Sequence, residues 1–212
     1  MARENMILNQ IRSWGVLDER IIELLNQYPR EHFVDAGHKG IAYADIILPL
    51  TTSRYMLPPS LEARLLQAMN PGANDHLLVV GTGSGYLTAL LAVSSAFVTS
   101  VETDESLVVA AREKMKRANI SNVRLEVGDA TGGWPNHAPY DGILLAGGVS
   151  KVAPELLEQL STGGQLVALE GATSPLTCVK LLKESQGISR ENLFETEVPY
   201  FDTALPETEF EF

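Results

Sequence analysis

Residues 76–170 alternate between short apolar runs and amphipathic ones, and this alternation limits the possible folds more than any other feature of the chain. Buried strands are indicated by the runs HLLVV, FVTSVE, VRLEV, GILLAG and QLVALEG. Helices are indicated between several of them, by GYLTALLAV, SLVVAAREKMKRA and VAPELLEQL. Strands that alternate with helices at this spacing form a parallel sheet covered on both faces. The pattern therefore predicts a doubly wound, mostly parallel α/β fold.

Three helices are predicted before this core. Residues 5–14 and 19–28 have apolar positions at helical spacing, and Asp18 is placed as the N-cap of the second helix. A further helix is predicted to run to Met69, with Ser60 as its N-cap. These segments, with the loop between them, form a helical N-terminal extension over residues 1–70.

The chain returns to strand-like patterns after residue 172. The runs LTCVKLL and NLFETEVPYF indicate an antiparallel edge of the sheet, and ALPETEFEF indicates a further edge strand or a docked tail. Because no repeat, low-complexity tract or long linker interrupts the sequence, we expect one domain over residues 1–212. Its parts are the helical extension with its loop (1–70), the α/β core (71–172), and edge strands with a tail (173–212).

The charge and the metal-binding residue types restrict the partners of the chain. A net charge of −11 repels phosphate backbones and anionic lipid, so neither nucleic acid nor a membrane is expected as a main partner. The one cysteine, Cys178, excludes an intramolecular disulfide, and the four histidines have no metal-ligand spacing, so no metal site is expected. The first residues, MARENMILNQIRSWG, lack the apolar stretch of a signal peptide, and we expect a cytoplasmic protein. The sequence does not indicate an oligomeric state.

A glycine-rich loop follows the first strand of the core, in VVGTGSGYLTALLA. Gly81, Gly83 and Gly85 let the backbone turn sharply and let a ligand approach its amides, close to the N-terminus of the next helix. The spacing G-x-G-x-G lacks the third glycine of a dinucleotide fingerprint, the lysine of a P-loop and the flanking glycines of a nucleophile elbow. It resembles the loop of class I S-adenosylmethionine-dependent methyltransferases; the alternative is a tight turn without a ligand.

Two acidic residues follow neighbouring strands of the predicted sheet. Glu102 ends the second strand, 102 − 81 = 21 residues after Gly81, where a carboxylate can accept hydrogen bonds from both hydroxyls of an adenosine ribose. Asp129 follows the third strand and can accept a hydrogen bond from the adenine amino group. We therefore predict an adenosyl site at the carboxyl edge of the sheet. The candidate cofactor-binding residues are Gly81, Thr82, Gly83, Ser84, Gly85, Tyr86, Glu102, Thr103, Asp129 and Ala130.

Longer stretches of the chain resemble the protein-L-isoaspartate O-methyltransferase family. The most specific stretch is GDATGGWPNHAPYD, and the resemblance extends over residues 10–170 through VLDERIIELLNQYPREHFVD, AYADIILPL, GTGSGY and SVETDESL. It implies a seven-stranded sheet of the class I methyltransferase (Rossmann-like) type that binds S-adenosylmethionine at the candidate residues. It also implies methyl transfer to the isoaspartyl carboxylate of a damaged protein or peptide, as a step in protein repair.

The chain departs from the family pattern near the reacting end. An ungapped alignment from Leu48 onward puts Leu57 where the family has a serine beside the methyl donor and the acceptor carboxylate, and leucine cannot hydrogen-bond a carboxylate. Ser53 lies four residues before Leu57 and is a possible substitute for that serine. Its neighbour Arg54 is a possible bidentate partner for an acidic group of the substrate. Val79-Val80 stands where the family has a carboxylate before the glycine loop.

No catalytic residue is assigned on this basis, and three functions remain open. The first is an isoaspartyl O-methyltransferase acting on a protein or peptide carboxylate. The second uses the same cofactor with a different methyl acceptor. The third is a catalytically silent module that binds S-adenosylmethionine.

Overall fold

The computed structural model describes residues 1–204, and helices predominate at its N-terminus. Helix α1 (Ala2–Met6) continues as a π-helical turn (Ile7–Ile11) and a 3-10 turn that ends at Trp14. Helix α2 (Glu19–Gln27) begins as predicted, because the carboxylate of its N-cap Asp18 accepts a hydrogen bond from the Arg20 amide at 2.9 Å.

A short hairpin and a third helix complete the extension. Strands β1 (Leu48–Pro49) and β2 (Tyr55–Met56) pair antiparallel, and helix α3 spans Pro59–Met69. The prediction that Ser60 caps this helix is wrong. Pro58 is the N-cap and proline fills the first helical position, where its fixed φ suits the helix and its missing N–H costs nothing. The Ser60 hydroxyl instead donates to the Asp45 carboxylate at 2.6 Å.

Seven strands form the central sheet, in the spatial order β5-β4-β3-β6-β7-β8-β9. Strands β3 to β7 are parallel to one another, and the last two are antiparallel, which confirms the predicted doubly wound, mostly parallel fold. The strands are β3 (His76–Val80), β4 (Phe97–Glu102), β5 (Val123–Val127), β6 (Tyr140–Val149), β7 (Leu160–Glu170), β8 (Leu176–Glu184) and β9 (Gly187–Thr196).

Helices connect the parallel strands. They are α4 (Tyr86–Ala92), α5 (Glu105–Arg117) and α6 (Pro154–Glu158). The chain leaves β3 toward β4 on one side and later returns to pair β6 with its other side, so the strand order reverses at β3. In doubly wound sheets this reversal opens a crevice at the carboxyl ends of the strands, where ligands bind.

The antiparallel edge differs in extent from its prediction. Strand β9 starts earlier than the run NLFETEVPYF and ends at Thr196. Pro199 follows, which cannot donate to a strand ladder, and the chain crosses back to the end of β6, where Tyr200 bridges Gly148. The predicted tail ALPETEFEF, with Phe210 and Phe212, lies outside the described residues apart from Ala204.

Apolar side chains are buried in two clusters. One contains residues of the N-terminal helices, α3 and α4 together with residues of the sheet, and the other joins the sheet to α6. Leu61, Leu65, Leu66 and Met69 of α3 are buried, as their helical spacing predicts. Across residues 1–204, no helix has both the length and the apolar character needed to cross a bilayer.

Candidate active site

The glycine loop connects β3 to α4 at the point where the strand order reverses. Gly81, Gly83 and Gly85 have φ of 88°, 52° and 86°, a left-handed region that residues with a side chain rarely adopt. A Cβ on Gly85 would also lie 3.1 Å from the Cβ of Ala111 in α5. The loop therefore needs glycine to turn, and at Gly85 also to let α5 pack closely against it.

Glu102, the last residue of β4, directs its carboxylate at this loop. Its Oε2 accepts a hydrogen bond from the Gly83 amide at 2.9 Å, and only 4% of the side chain is exposed. Its Oε1 accepts bonds from the Thr103 hydroxyl and the Asp104 amide, both at 3.2 Å. Because Oε2 has a single donor, it keeps acceptor capacity for a ligand hydroxyl.

Asp129 follows β5 and presents a second carboxylate. Its Oδ1 accepts hydrogen bonds from the Thr131 amide at 2.9 Å and from the Thr131 hydroxyl at 2.7 Å. Burial alone raises the pKa of Asp129, but the hydrogen bonds from Thr131 and Thr203 outweigh it and lower that pKa. The group is therefore an ionised acceptor at neutral pH.

A cavity of about 220 Å³ lies at the carboxyl ends of β3, β4 and β5, and half of the candidate residues line it. Glu102 and Asp129 both lie on its wall, so the structure brings the two predicted carboxylates to one cavity. A smaller cavity of about 60 Å³ lies toward the β1–β2 hairpin. The candidate residues on the larger cavity are Gly81, Glu102, Thr103, Asp129 and Ala130, and those on the smaller one are Gly81, Gly83 and Glu102.

Thr82, Ser84, Gly85 and Tyr86 line neither cavity. The Thr82 hydroxyl lies 2.7 Å from that of Ser100, and the Ser84 hydroxyl accepts a bond from the Tyr86 amide at 3.2 Å. Tyr86 is buried in the core, where its burial raises the pKa of its phenol. The side chains of Thr82, Ser84 and Tyr86 therefore stabilise the loop from the side of the core.

Arg54 lies between the two cavities and lines both. Its guanidinium donates to the Thr103 hydroxyl at 2.8 Å, and its Nη1 and Nε lie 2.8 Å from Asp202 and 3.5 Å from Glu102. Partial burial lowers the pKa of Arg54, but the Asp202 and Glu102 carboxylates together more than compensate and raise it. The residue is therefore a fixed cation at the site.

Residues 50–58, which we call the substrate-side loop, bring Leu57 to the smaller cavity. The side chain of Leu57 is only 7% exposed, and its carbonyl oxygen accepts a hydrogen bond from Arg30. Ser53 lines the same cavity, and its hydroxyl accepts from Arg54 at 3.3 Å. Leu57 thus lines the smaller cavity but contributes no hydroxyl group to it.

Sequence reasoning missed a C-terminal part of the wall of the larger cavity, formed by Phe201, Asp202 and Thr203. They come more than 70 residues after Asp129, in a stretch with no recognisable ligand pattern. Pro199 is the one local signal that the preceding strand ends before them. Nowhere in residues 1–204 do three His, Cys, Asp or Glu side chains come together as metal ligands.

A glycine loop at the switch point of a doubly wound sheet, with a nearly buried carboxylate at the end of the next strand, defines a class of α/β proteins that bind nucleoside-containing cofactors. A sequence model of the family described as protein-L-isoaspartate(D-aspartate) O-methyltransferase (PCMT) matches residues 2–201. The chain belongs to this family.

Named relatives agree with this assignment. The chain is 39% identical over 181 residues to a protein-L-isoaspartate O-methyltransferase of Magnetococcus marinus, covering 84% of this chain and 79% of the relative. It is 40% identical over 172 residues to protein-L-isoaspartate O-methyltransferase 2 of Pelobacter propionicus, covering 81% and 76%.

Solved structures have the same fold. A protein-L-isoaspartate O-methyltransferase superposes with a TM-score of 0.82 at 25% identity, covering 96% of this chain and 67% of that one. A beta-aspartate methyltransferase (PCMT) from Plasmodium falciparum, solved in complex with S-adenosyl-L-homocysteine, superposes with a TM-score of 0.76 at 19% identity. That match covers 93% of this chain and 96% of the other.

Proposed function

We propose that this protein transfers the methyl group of S-adenosylmethionine to the free carboxylate of isoaspartyl residues in damaged proteins or peptides. Family membership makes the chain an S-adenosylmethionine-dependent methyltransferase. The observation that carries the proposal at the level of the site is the Glu102 carboxylate, which is nearly buried against the Gly83 amide and faces the same cavity as Asp129.

The residues present fit this cofactor. Glu102 Oε2 has room for a further donor, so we propose that it binds the ribose hydroxyls, and that Asp129 binds the adenine amino group. Gly81 has no Cβ, so the cofactor can lie against its backbone if the ring of Phe201, which packs there, moves aside. When bound, S-adenosylmethionine supplies an electrophilic methyl group on a sulfonium that leaves as a neutral thioether.

The protein then has little acid–base work to do. An isoaspartyl carboxylate is already ionised at neutral pH and is the nucleophile, so the residues of the site need only hold it in line and exclude water. Leu57 offers no hydrogen bond to it. We therefore propose that Ser53 or Arg54, which share the smaller cavity with Leu57, hold the acceptor carboxylate.

A second candidate keeps the cofactor and changes the acceptor. The apolar side chain of Leu57 on the smaller cavity favours it, because an apolar wall is a poor partner for a carboxylate and a good one for an apolar group. The acceptor would then be a small molecule or an unmodified protein site.

The test is methyl transfer from radiolabelled S-adenosylmethionine to an isoaspartyl peptide and to an aspartyl peptide of the same sequence. We expect labelling of the isoaspartyl peptide alone, as base-labile methyl ester. Glu102→Gln, which removes the charge and keeps the shape, should reduce labelling by weakening cofactor binding. Cofactor binding without labelling of either peptide would reject the isoaspartyl acceptor and leave the second candidate.

A further inference from the structure

The ring of Phe201 lies against the glycine loop. A Cβ added to Gly81 would stand 2.9 Å from Cε1 of this ring, and a Cβ added to Gly147 would stand 2.8 Å from its Cζ. The ring therefore packs directly on the bare backbone at the end of β3 and in β6. This is the carboxyl edge of the sheet, where ligands of doubly wound folds bind.

Phe201 also limits the space at the site. The cavities of about 220 Å³ and about 60 Å³ have four lining residues in common, Arg54, Gly81, Glu102 and Phe201, which lie between them. Pockets that hold ligands of drug-like size have volumes of roughly 300–1,000 Å³. Each cavity is smaller than this, and the ring of Phe201, which packs on Gly81, is among the groups that separate them.

Phe201 belongs to residues 199–204, which we call the C-terminal strap. Backbone hydrogen bonds attach it to the end of β6: the Gly148 amide donates to Pro199 at 3.0 Å and the Phe201 amide donates to Gly148 at 2.9 Å. The Ser150 amide donates to Ala204 at 3.0 Å. The strap thus runs along the end of β6, and its residues Phe201, Asp202 and Thr203 form part of the wall of the larger cavity.

One ion pair connects the strap to the substrate-side loop. Arg54 contacts Asp202 at 2.8 Å, and the Asp202 side chain is 63% exposed. Within residues 1–204, the strap makes further polar side-chain contacts with the cavity wall through the Thr203 hydroxyl, which lies 3.1 Å from the Thr131 hydroxyl and also donates to the Asp129 carboxylate. Because the Asp202 carboxylate is largely exposed, solvent screens the pair and its contribution to stability is small.

We propose that the C-terminal strap is a lid over the cofactor site, which opens when the Arg54–Asp202 pair and the hydrogen bond from the Phe201 amide to Gly148 break and Phe201 leaves Gly81. The cofactor enters through this opening and occupies the space that the ring vacates. The inference rests on the cofactor site proposed above. If the strap were instead a fixed part of the wall, it would keep its present position and contact the bound cofactor from there.

Stopped-flow binding of S-adenosylhomocysteine tests the lid. The ring of Trp134 packs on Gly128, which lines the larger cavity, so its fluorescence reports on the site. The chain has two tryptophans, and Trp14→Phe leaves Trp134 as the single probe. In that background, Asp202→Asn should raise the association rate constant about two- to five-fold, which is the effect of losing an exposed ion pair. Phe201→Ala should raise it further.

The matched control is Glu19→Gln, which removes the carboxylate of another exposed arginine pair, Arg12–Glu19 at 3.0 Å. It should leave the association rate unchanged. A second measurement needs no ligand: Asp202→Asn should speed hydrogen exchange at the Phe201 amide, which is bonded to Gly148. If either strap variant fails to raise the association rate, the lid is rejected.

The same assay separates failure of the lid from failure of the cofactor site. Glu102→Gln should raise the dissociation constant of S-adenosylhomocysteine whether or not the strap moves. If Glu102→Gln binds as tightly as the parent, the proposed cofactor site is rejected. If Glu102→Gln weakens binding and the strap variants bind no faster, the site stands and the strap is a fixed wall.

Discussion

Arg30 and Glu62 form an ion pair that is almost completely removed from solvent, with side chains 0% and 4% exposed. Arg30 also donates to the carbonyl oxygens of Ala42 and Leu57, so it ties the substrate-side loop to α3. Burial lowers the pKa of Arg30 to about 10, which still leaves it charged at neutral pH. The pair thus holds Arg30 in place, and Arg30 in turn fixes the backbone of Leu57.

Removing one charge of this pair should destabilise the protein strongly. Glu62→Gln leaves the buried guanidinium without a counter-charge, and we expect it to lower the free energy of unfolding by about 3–5 kcal/mol, measured by urea denaturation. Glu19→Gln, in the exposed pair with Arg12, should cost less than about 1 kcal/mol. Equal losses for the two variants would contradict this account of the buried pair.

A hydroxyl at position 57 should improve transfer to an isoaspartyl carboxylate. Because a hydrogen bond to a charged group contributes about 1.5–3 kcal/mol, Leu57→Ser should raise kcat/KM for an isoaspartyl peptide roughly 10- to 100-fold. Leu57→Ala removes a similar volume without adding a hydroxyl and is the control for the cavity that both create. If the serine variant is no faster than the alanine variant, Leu57 does not stand where the family serine acts.

The effect of the contact between Phe201 and the glycine loop on stability can be measured by substituting alanine at two glycines of similar conformation. Gly81 and Gly15 have φ of 88° and 83°, but a Cβ on Gly15 would meet nothing within 4 Å. Gly15→Ala should therefore cost only the left-handed strain, about 1–2 kcal/mol, and Gly81→Ala should cost more. The excess should disappear in a Phe201→Ala background. An excess that persists without the ring would show that Phe201 is not the constraint.

Cys178 should be inert to thiol reagents in the folded protein. It is fully buried in β8, and burial raises the pKa of its thiol to about 12, so the reactive thiolate is scarce at pH 7–8. Labelling with a chromogenic disulfide should follow global unfolding and match the urea transition. Rapid labelling without denaturant would contradict the burial of this side chain.

The local pattern of the sequence predicts the order of strands and helices along the core, because the strands are short apolar runs separated by amphipathic ones. It also predicts the start of α2, because Asp18 is a typical N-cap residue. Glu102 and Asp129 are predicted from the pattern of strands, since Glu102 ends one strand and Asp129 comes two residues after the next, and the carboxyl ends of both strands are at the ligand edge. Ser60 fails as a cap because the proline before it begins the helix.

Long-range contacts account for what the sequence does not predict. The Arg30–Glu62 pair joins residues 32 positions apart, and no local pattern connects them. The packing of Phe201 on Gly81 depends on the path of the chain after β9, which crosses the sheet edge to reach the end of β6. Arg54 is identified by its place in an altered loop, but its partner Asp202 is determined only by the fold.

Carboxylates outnumber cations around the larger cavity: Glu102, Asp129 and Asp202 line it, and Arg54 is the only basic side chain on its wall in the part of the chain that the structure describes. S-adenosylmethionine carries a sulfonium charge that S-adenosylhomocysteine lacks. The negative potential at the proposed site therefore attracts the methyl donor more than the spent product, and the reaction itself weakens the hold on its product. This discrimination is electrostatic, so we expect it to fade as ionic strength rises.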